Sequence, residues 1–141
     1  MTGASSGLGR HFAITLARAG AHVGVAARRE DKVAGVVSEI VEEGGEATPI
    51  FMDVVNRESI ADAFEVMQQV SGAVTILVNN AGIVGREMAF DLPDETFDDV
   101  MRTNLKGAWN VSRECAERMI KAATSGSINN ISSILGIRVA K

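Results

Sequence analysis

Apolar positions recur along the chain in two ways, at helical spacing in some stretches and as short unbroken runs in others, and the two take turns. Phe12, Ala13, Leu16 and Ala17 predict one buried helical stripe that ends at Gly20. Residues 22–27, His-Val-Gly-Val-Ala-Ala, are short, apolar and bounded by turn chemistry, and predict a buried strand. Val33, Val36, Val37, Ile40 and Val41 return to helical spacing, closed by Gly44-Gly45. Residues 48–54 predict the next strand, and Asn56 the N-cap of a helix with Ile60, Ala63, Phe64, Met67 and Val70 on its apolar face. The continuous run Val74 to Val78 predicts a parallel strand buried on both faces. Asp91-Leu92-Pro93-Asp94 opens a long helical region over roughly 94–123, broken or kinked around Asn104 to Gly107. Its second half places Leu105, Ala108, Trp109, Ser112, Ala116, Met119 and Ala123 on one face, and a last strand over 127–132 leads to Ser132-Ser133. This alternation of strand and helix means βαβ units and a parallel sheet with helices on both faces. Neither a linker nor an internal repeat interrupts residues 1–141, which read as one domain.

Composition narrows the partners. The chain is 46% hydrophobic and 23% charged, as ordinary globular domains are. Its net charge of −4 argues against nucleic acid or an anionic membrane surface. No apolar run approaches the roughly eighteen residues of a membrane span, and no leader pattern is present. The single Cys115 forms no internal disulfide; it fits a reducing cytoplasm and, at helical spacing, a small core residue. The two histidines lack nearby ligand partners, so no metal site is expected. There is no tyrosine.

The candidate chemistry begins at Thr2–Gly9, Thr-Gly-Ala-Ser-Ser-Gly-Leu-Gly, where Gly3, Gly7 and Gly9 crowd into seven residues just ahead of a helix. Glycine permits positive φ and close backbone approach, and a helix starting there turns free N–H groups and the positive end of its dipole on the turn. Phosphate or pyrophosphate is the natural occupant, although a plain connection also uses such glycines. Arg10 and His11 follow Gly9, so the lysine of a P-loop is absent. Arg28 and Arg29 follow the strand over 22–27, with Ala27 where an acid would read an unphosphorylated ribose. Arginine there suits a 2′-phosphate; two solvated arginines before an acidic helix start is the plainer reading. Asp53 and Val54 end the strand over 48–54, where the carboxylate either accepts from an adenine amino group or orders the turn before Asn56. Asn79-Asn80-Ala81-Gly82 follows the strand Val74 to Val78, at the carboxyl edge where open α/β sheets bind ligands, or as a simple turn.

Thr-Gly-x-x-x-Gly-x-Gly, Asp53-Val54, Asn79-Asn80-Ala81-Gly82, Asn104 in Thr-Asn-Leu-Lys-Gly, and Asn130-Ile131-Ser132-Ser133-x-x-Gly136 occur in order and register. In this the chain resembles the first half of a short-chain dehydrogenase/reductase, over essentially all 141 residues. The resemblance implies a Rossmann-like, doubly wound parallel sheet and NAD(P)-dependent hydride transfer between a carbonyl and an alcohol, of the 3-oxoacyl-reductase kind or a related one. It implies that Gly3, Ser5, Gly7, Leu8 and Gly9 wrap the pyrophosphate and that Asp53 and Val54 hold adenine. Asn80, Ala81 and Gly82 would lie along the ribose and the route to nicotinamide. Arg28 points to NADP(H), with NAD(H) as the alternative cofactor. Ser133 matches the serine that orients the substrate oxygen, and Asn104 the asparagine that breaks a helix and holds a water of the proton relay. Small-molecule carbonyls or alcohols would be the substrates, with Ile83 to Arg86 and Leu135 to Ile137 as the stretches nearest to them. The complete protein would form a homo-oligomer, a tetramer or dimer, through the long helix around 105–123. Trp109, Met119 and Ile120 are the candidates for that contact, with core packing expected for at least two of them.

Two parts of that pattern lie outside the sequence. The Tyr-x-x-x-Lys pair of the family would follow Lys141, and only Met1 stands in for the strand that precedes Thr-Gly. Without that strand a gap of about 10 Å, two interstrand spacings, is expected in the middle of the sheet. Asn129 places a polar side chain in a strand that is apolar in the family, which requires a buried partner or costs about 1–3 kcal/mol. The expectation is a fragment of a longer reading frame, inactive by itself. A non-catalytic dinucleotide-binding module and a non-functional truncated product are the competing readings.

Overall fold

The computed structural model describes residues 1–134. Leu135 to Ile137, named above as possible substrate contacts, lie outside the described residues. The elements are α1 (Gly7–Arg18), β1 (His22–Ala27), α2 (Glu30–Glu42), β2 (Glu46–Phe51), α3 (Arg57–Ser71) and β3 (Ile76–Asn79). Then come α4 (Asp94–Val100), a π-helical segment (Met101–Gly107), α5 (Ala108–Lys121) and β4 (Ser127–Asn130). Both strand pairs are parallel: β1 with β2, in register from His22 opposite Glu46, and β3 with β4, from Ile76 opposite Ser127. Among the described residues, Met1 and Thr2 bridge the two pairs by backbone hydrogen bonds. The Met1 carbonyl accepts from Ala26 N–H at 3.0 Å, and Thr2 N–H donates to the Val78 carbonyl at 3.0 Å. The order is therefore β2–β1–(Met1-Thr2)–β3–β4, an α/β sheet with its centre filled only at the carboxyl edge. The expected gap is present, as a slot between the amino-terminal halves of β1 and β3.

The core divides along the same line. One cluster packs α1 and α2 on β1 through Ala13, Ile14, Val25, Val33 and Ile40. The other packs α3 and α5 on β2 and β3 through Ile50, Phe64, Leu77, Val111 and Cys115. Asn56 caps α3, accepting from Ser59 N–H at 3.1 Å. Pro93 stands immediately before α4, whose first turn carries Asp94 and Glu95, as the charge pattern predicts.

Several expectations are corrected. In α1 the buried stripe is Ala13, Ile14 and Ala17, and Phe12 is only half-buried. The second strand covers 46–51 rather than 48–54, because the chain leaves the sheet at Met52 to form the turn around Asp53. Val41 and Val70 sit at helix ends beyond the reach of the sheet, and both are exposed. The strand predicted over Val74 to Val78 is not buried on both faces: Leu77 is buried but Ile76 is 55% exposed beside the open slot. In α5 the buried side is Asn110, Val111, Cys115 and Met119, while Trp109 and Ile120 are 64% and 77% exposed. Of the face predicted there, only Met119 is fully buried; the side that meets the core runs through Val111 and Cys115. Of the three residues weighed for a partner contact, only Met119 packs in the core. Asn129 is exposed and needs no buried partner; its amide reaches Ser127 Oγ at 3.1 Å.

Candidate functional site

The turn between Thr2 and α1 is built against the end of β3. Thr2, 2% exposed, uses its hydroxyl oxygen to accept from the backbone N–H groups of Asn80 (3.0 Å) and Ala81 (3.1 Å). The Asn80 side-chain amide returns a bond to the Thr2 carbonyl at 3.1 Å. The two segments lie so close that a Cβ on Gly3 would stand 2.8 Å from Ala81 Cα, and Gly3 also holds φ +65°. A Cβ on Gly9 would collide with the Asn80 amide and the Gly3 carbonyl. Gly7 differs: its φ of +56° demands glycine, yet the space in front of it is open. Helix α1 then starts without a side-chain cap and without an acidic residue in its first turn. Its first N–H groups are left for a ligand to meet.

In front of this turn lies a cleft of about 480 Å³ at the carboxyl edge of the strands. The glycine turn forms its floor, Arg28 and Arg29 one wall, Asp53 and Val54 another, and Asn80 to Ile83 the far side. Arg29 is the better placed arginine, its guanidinium donating to Ser5 Oγ at 2.9 Å and Ser6 Oγ at 2.8 Å. Arg28 lines the same cleft and is exposed. The Asp53 carboxylate accepts from Val55 N–H at 3.2 Å, so it does order its own turn while still facing the cleft. Val54 is buried against Gly107, where a Cβ would come within 2.9 Å of Val54 Cγ2.

Asn104 sits in the middle of the π-helical segment and grips the strand end across from it. Its side-chain oxygen accepts from Ile83 N–H at 2.9 Å and its amide donates to the Ile83 carbonyl at 2.9 Å. Behind it the buried Asn79 donates to Ser112 Oγ at 2.8 Å and Asn130 Oδ1 at 2.9 Å, tying β3 to α5 and β4. Ser133 lies just past β4 on the same carboxyl edge, exposed, and is not among the residues lining the cleft. Gly7 is likewise outside the lining set. Among the described residues no cluster of metal-ligating side chains occurs.

The model of the short chain dehydrogenase family matches residues 1–140. The chain belongs to that family. It is 36% identical over 137 residues to the 3-oxoacyl-[acyl-carrier-protein] reductase FabG of Staphylococcus epidermidis, covering 96% of this chain and 56% of that protein. The fold matches a short-chain type dehydrogenase/reductase from Mycobacterium marinum at TM-score 0.94 and 35% identity, over 99% of this chain and 56% of that one. It also matches an actinorhodin polyketide ketoreductase determined with NADPH, at TM-score 0.92 and 35% identity, over 99% of this chain and 54% of that one. The chain spans about half the length of these relatives.

For this family member, the fold brings ten of the expected cofactor residues to one cleft: Gly3, Ser5, Leu8, Gly9, Arg28, Asp53, Val54, Asn80, Ala81 and Gly82. Sequence reasoning did not assign Thr2 or Ser6 to the site, and it weighed Arg29 beside Arg28 but rested the cofactor preference on Arg28 alone. Thr2 stood inside the quoted motif, but its role depends on Asn80, 78 residues away, and no local signal announces that. Arg29 carried a usable signal, a second arginine beside the first. Among the described residues no helix is long and apolar enough to cross a membrane.

Proposed function

We propose that this chain is the cofactor-binding half of a short-chain oxidoreductase that prefers NADP(H) and interconverts a small carbonyl compound and its alcohol. The observation carrying this reading is the cleft itself. A glycine cradle that a Cβ would fill, an uncapped helix start and two arginines share one wall-to-wall cavity. Those features fit a phosphorylated dinucleotide: the open N–H groups of Gly7, Leu8 and Gly9 suit pyrophosphate, and Arg28 with Arg29 suits a 2′-phosphate. Ser5 and Ser6 hold the Arg29 guanidinium at the cleft mouth. Asp53 and Val54 would take adenine, and Asn80, Ala81 and Gly82 the ribose. When bound, the cofactor supplies or accepts the hydride. Ser133 would donate a hydrogen bond to the substrate oxygen, where negative charge develops. Asn104 holds Ile83 and so sets the far wall. The similarity to a 3-oxoacyl reductase and a polyketide ketoreductase favours a 3-oxoacyl or related ketone substrate. The complete protein would be a cytoplasmic homo-oligomer, with no nucleic-acid or membrane partner.

Titration with NADPH and NADH, followed by nucleotide fluorescence, tests the cofactor assignment. NADPH should bind more tightly, and Arg28→Ala should weaken it by about tenfold or more while moving NADH by less, the loss of one charge-assisted contact. Tighter binding of NADH would sink the assignment. The chain contains no tyrosine, and a missing general acid is worth about 10²–10⁴ in rate. NADPH oxidation in the presence of a 3-oxoacyl ester should therefore stay at background for these 141 residues; turnover well above it would show that another group moves the proton.

A further inference from the structure

Two helices of this chain begin behind a polar residue and treat it differently. Asn56 stands ahead of α3 with extended backbone, and its side-chain oxygen accepts from Ser59 N–H at 3.1 Å. That bond closes the start of the helix, as a polar N-cap ordinarily does. Ser6 holds the same position ahead of α1, also with extended backbone, yet its hydroxyl makes no bond to the helix. Arg29 meets that hydroxyl instead. Its Nη2 donates to Ser6 Oγ at 2.8 Å and to Ser5 Oγ at 2.9 Å. One guanidinium nitrogen thus uses both of its protons on two neighbouring serines. Although Glu30 and Asp31 come next in the chain, the described residues give this guanidinium no carboxylate partner. Strand β1 ends at Ala27, and so it delivers Arg29 to the glycine turn.

We propose that Arg29 is a positioning residue for the pyrophosphate: it holds the Ser6 hydroxyl off the start of α1, so that the N–H groups of Gly7, Leu8 and Gly9 stay free for the ligand. This rests on the cofactor reading given above. An N-cap hydroxyl accepts from the second or third N–H of its helix, which in α1 are those of Leu8 and Gly9. A phosphate at a helix start needs the same groups. Cap and ligand therefore compete, and a guanidinium that binds the hydroxyl removes the competitor. Gly7, with open space in front of it, leaves the approach to those amides clear. The N–H groups on Nε and Nη1 of Arg29 are not used on the serines, so the same side chain still serves a 2′-phosphate. The two arginines differ in what they affect. The 2′-phosphate that Arg28 suits is carried by NADP(H) only, whereas both cofactors carry the pyrophosphate. Loss of Arg29 therefore weakens NADH as well as NADPH.

NADH, which lacks the 2′-phosphate, is the probe. It is titrated by nucleotide fluorescence into the 141-residue chain and into Arg29→Met, Ser6→Ala and the double variant. Arg29→Met should weaken NADH about fivefold, the size of one ordinary side-chain cap that the nucleotide must displace. With Ser6→Ala already in place, the same change should matter less than about twofold, because no hydroxyl is left to cap the helix. A loss confined to NADPH would make Arg29 a reader of the 2′-phosphate alone. An equal loss with and without the Ser6 hydroxyl would make it a charge alone, and either result overturns the proposal. A second readout needs no nucleotide. Amide exchange at Leu8 or Gly9, followed by NMR, should slow about fivefold in Arg29→Met and not in the double variant, with the amides of α3 unchanged in both. Normal NADH binding with no slowing at either amide sinks the role of Arg29 and leaves the cofactor reading standing. If the unaltered chain binds neither nucleotide, the cofactor reading falls and takes the pyrophosphate role with it.

Discussion

Thr2 joins the two halves of the molecule. Its backbone bridges β1 and β3, and its hydroxyl oxygen accepts two N–H groups that have no other partner in the turn. Thr2→Val keeps the shape and removes the acceptor that serves two partly buried donors, at a cost of about 1–3 kcal/mol in total. Urea denaturation should show that loss, and Thr2→Ser should restore most of it; equal stability of the valine variant would mean water replaces the hydroxyl. The glycines around it were legible from spacing alone, because tight turns and close approach are open to glycine and to little else. The arginine pair was legible as a charge but not as a geometry. Which guanidinium meets Ser5 and Ser6 depends on how β1 delivers the chain to the α1 turn. Cys115 is the simple case: apolar spacing predicted burial, and burial pushes its thiol up to about 11.

At the scale of elements, the interruption foreseen near Asn104 is the π-helical segment. Its seven residues separate α4 from α5 and set Asn104 opposite Ile83. Asn104→Ala removes both bonds to Ile83 and should cost about 1–3 kcal/mol in total. The local readout is faster amide exchange at Ile83 with α5 unchanged. If α5 also loosens, Asn104 holds the helix rather than the strand end. The face predicted for α5 was rotated: Met119 is buried as expected, but Trp109 lies outside and Val111 and Cys115 inside, because packing against α3 and β3 selects which side of the helix is covered. Strand positions in β1 were read without error because the run is short, apolar and bounded. The boundaries of β2 and β3 depend instead on where neighbouring strands end.

The whole molecule is two half-cores meeting at a partly filled centre. Its amino terminus carries a pH dependence with a definite sign. In the unfolded chain the Met1 amine has its ordinary value near 8.0, while burial lowers it to about 6 in the fold. The unfolded state therefore binds more protons between pH 6 and 8, and stability rises with pH across that window. The contribution is fully present above pH 8 and lost as pH falls through 6, with an upper limit of about 3 kcal/mol for two units. Amino-terminal acetylation keeps the N–H donor to Gly24 and removes the charge. Urea midpoints at pH 6 and 8 should converge for the acetylated protein relative to the free amine. Parallel pH profiles for the two forms would show that the ammonium is solvated.

Local chemistry by itself determined the alternation of elements, the glycine turn, the N-cap at Asn56 and the membership of five motifs in one family pattern. Each rests on residues near one another in the chain, where propensity, spacing and turn chemistry act directly. Tertiary structure decided the rest. It made Thr2 the joint, chose Arg29 to hold the serines, rotated α5 and placed Ser133 outside the lining of the cleft. It also bounded the expected gap by β1 and β3, with Met1 and Thr2 at its carboxyl end. Those outcomes depend on contacts between residues 20 to 80 positions apart, and no window of sequence contains them.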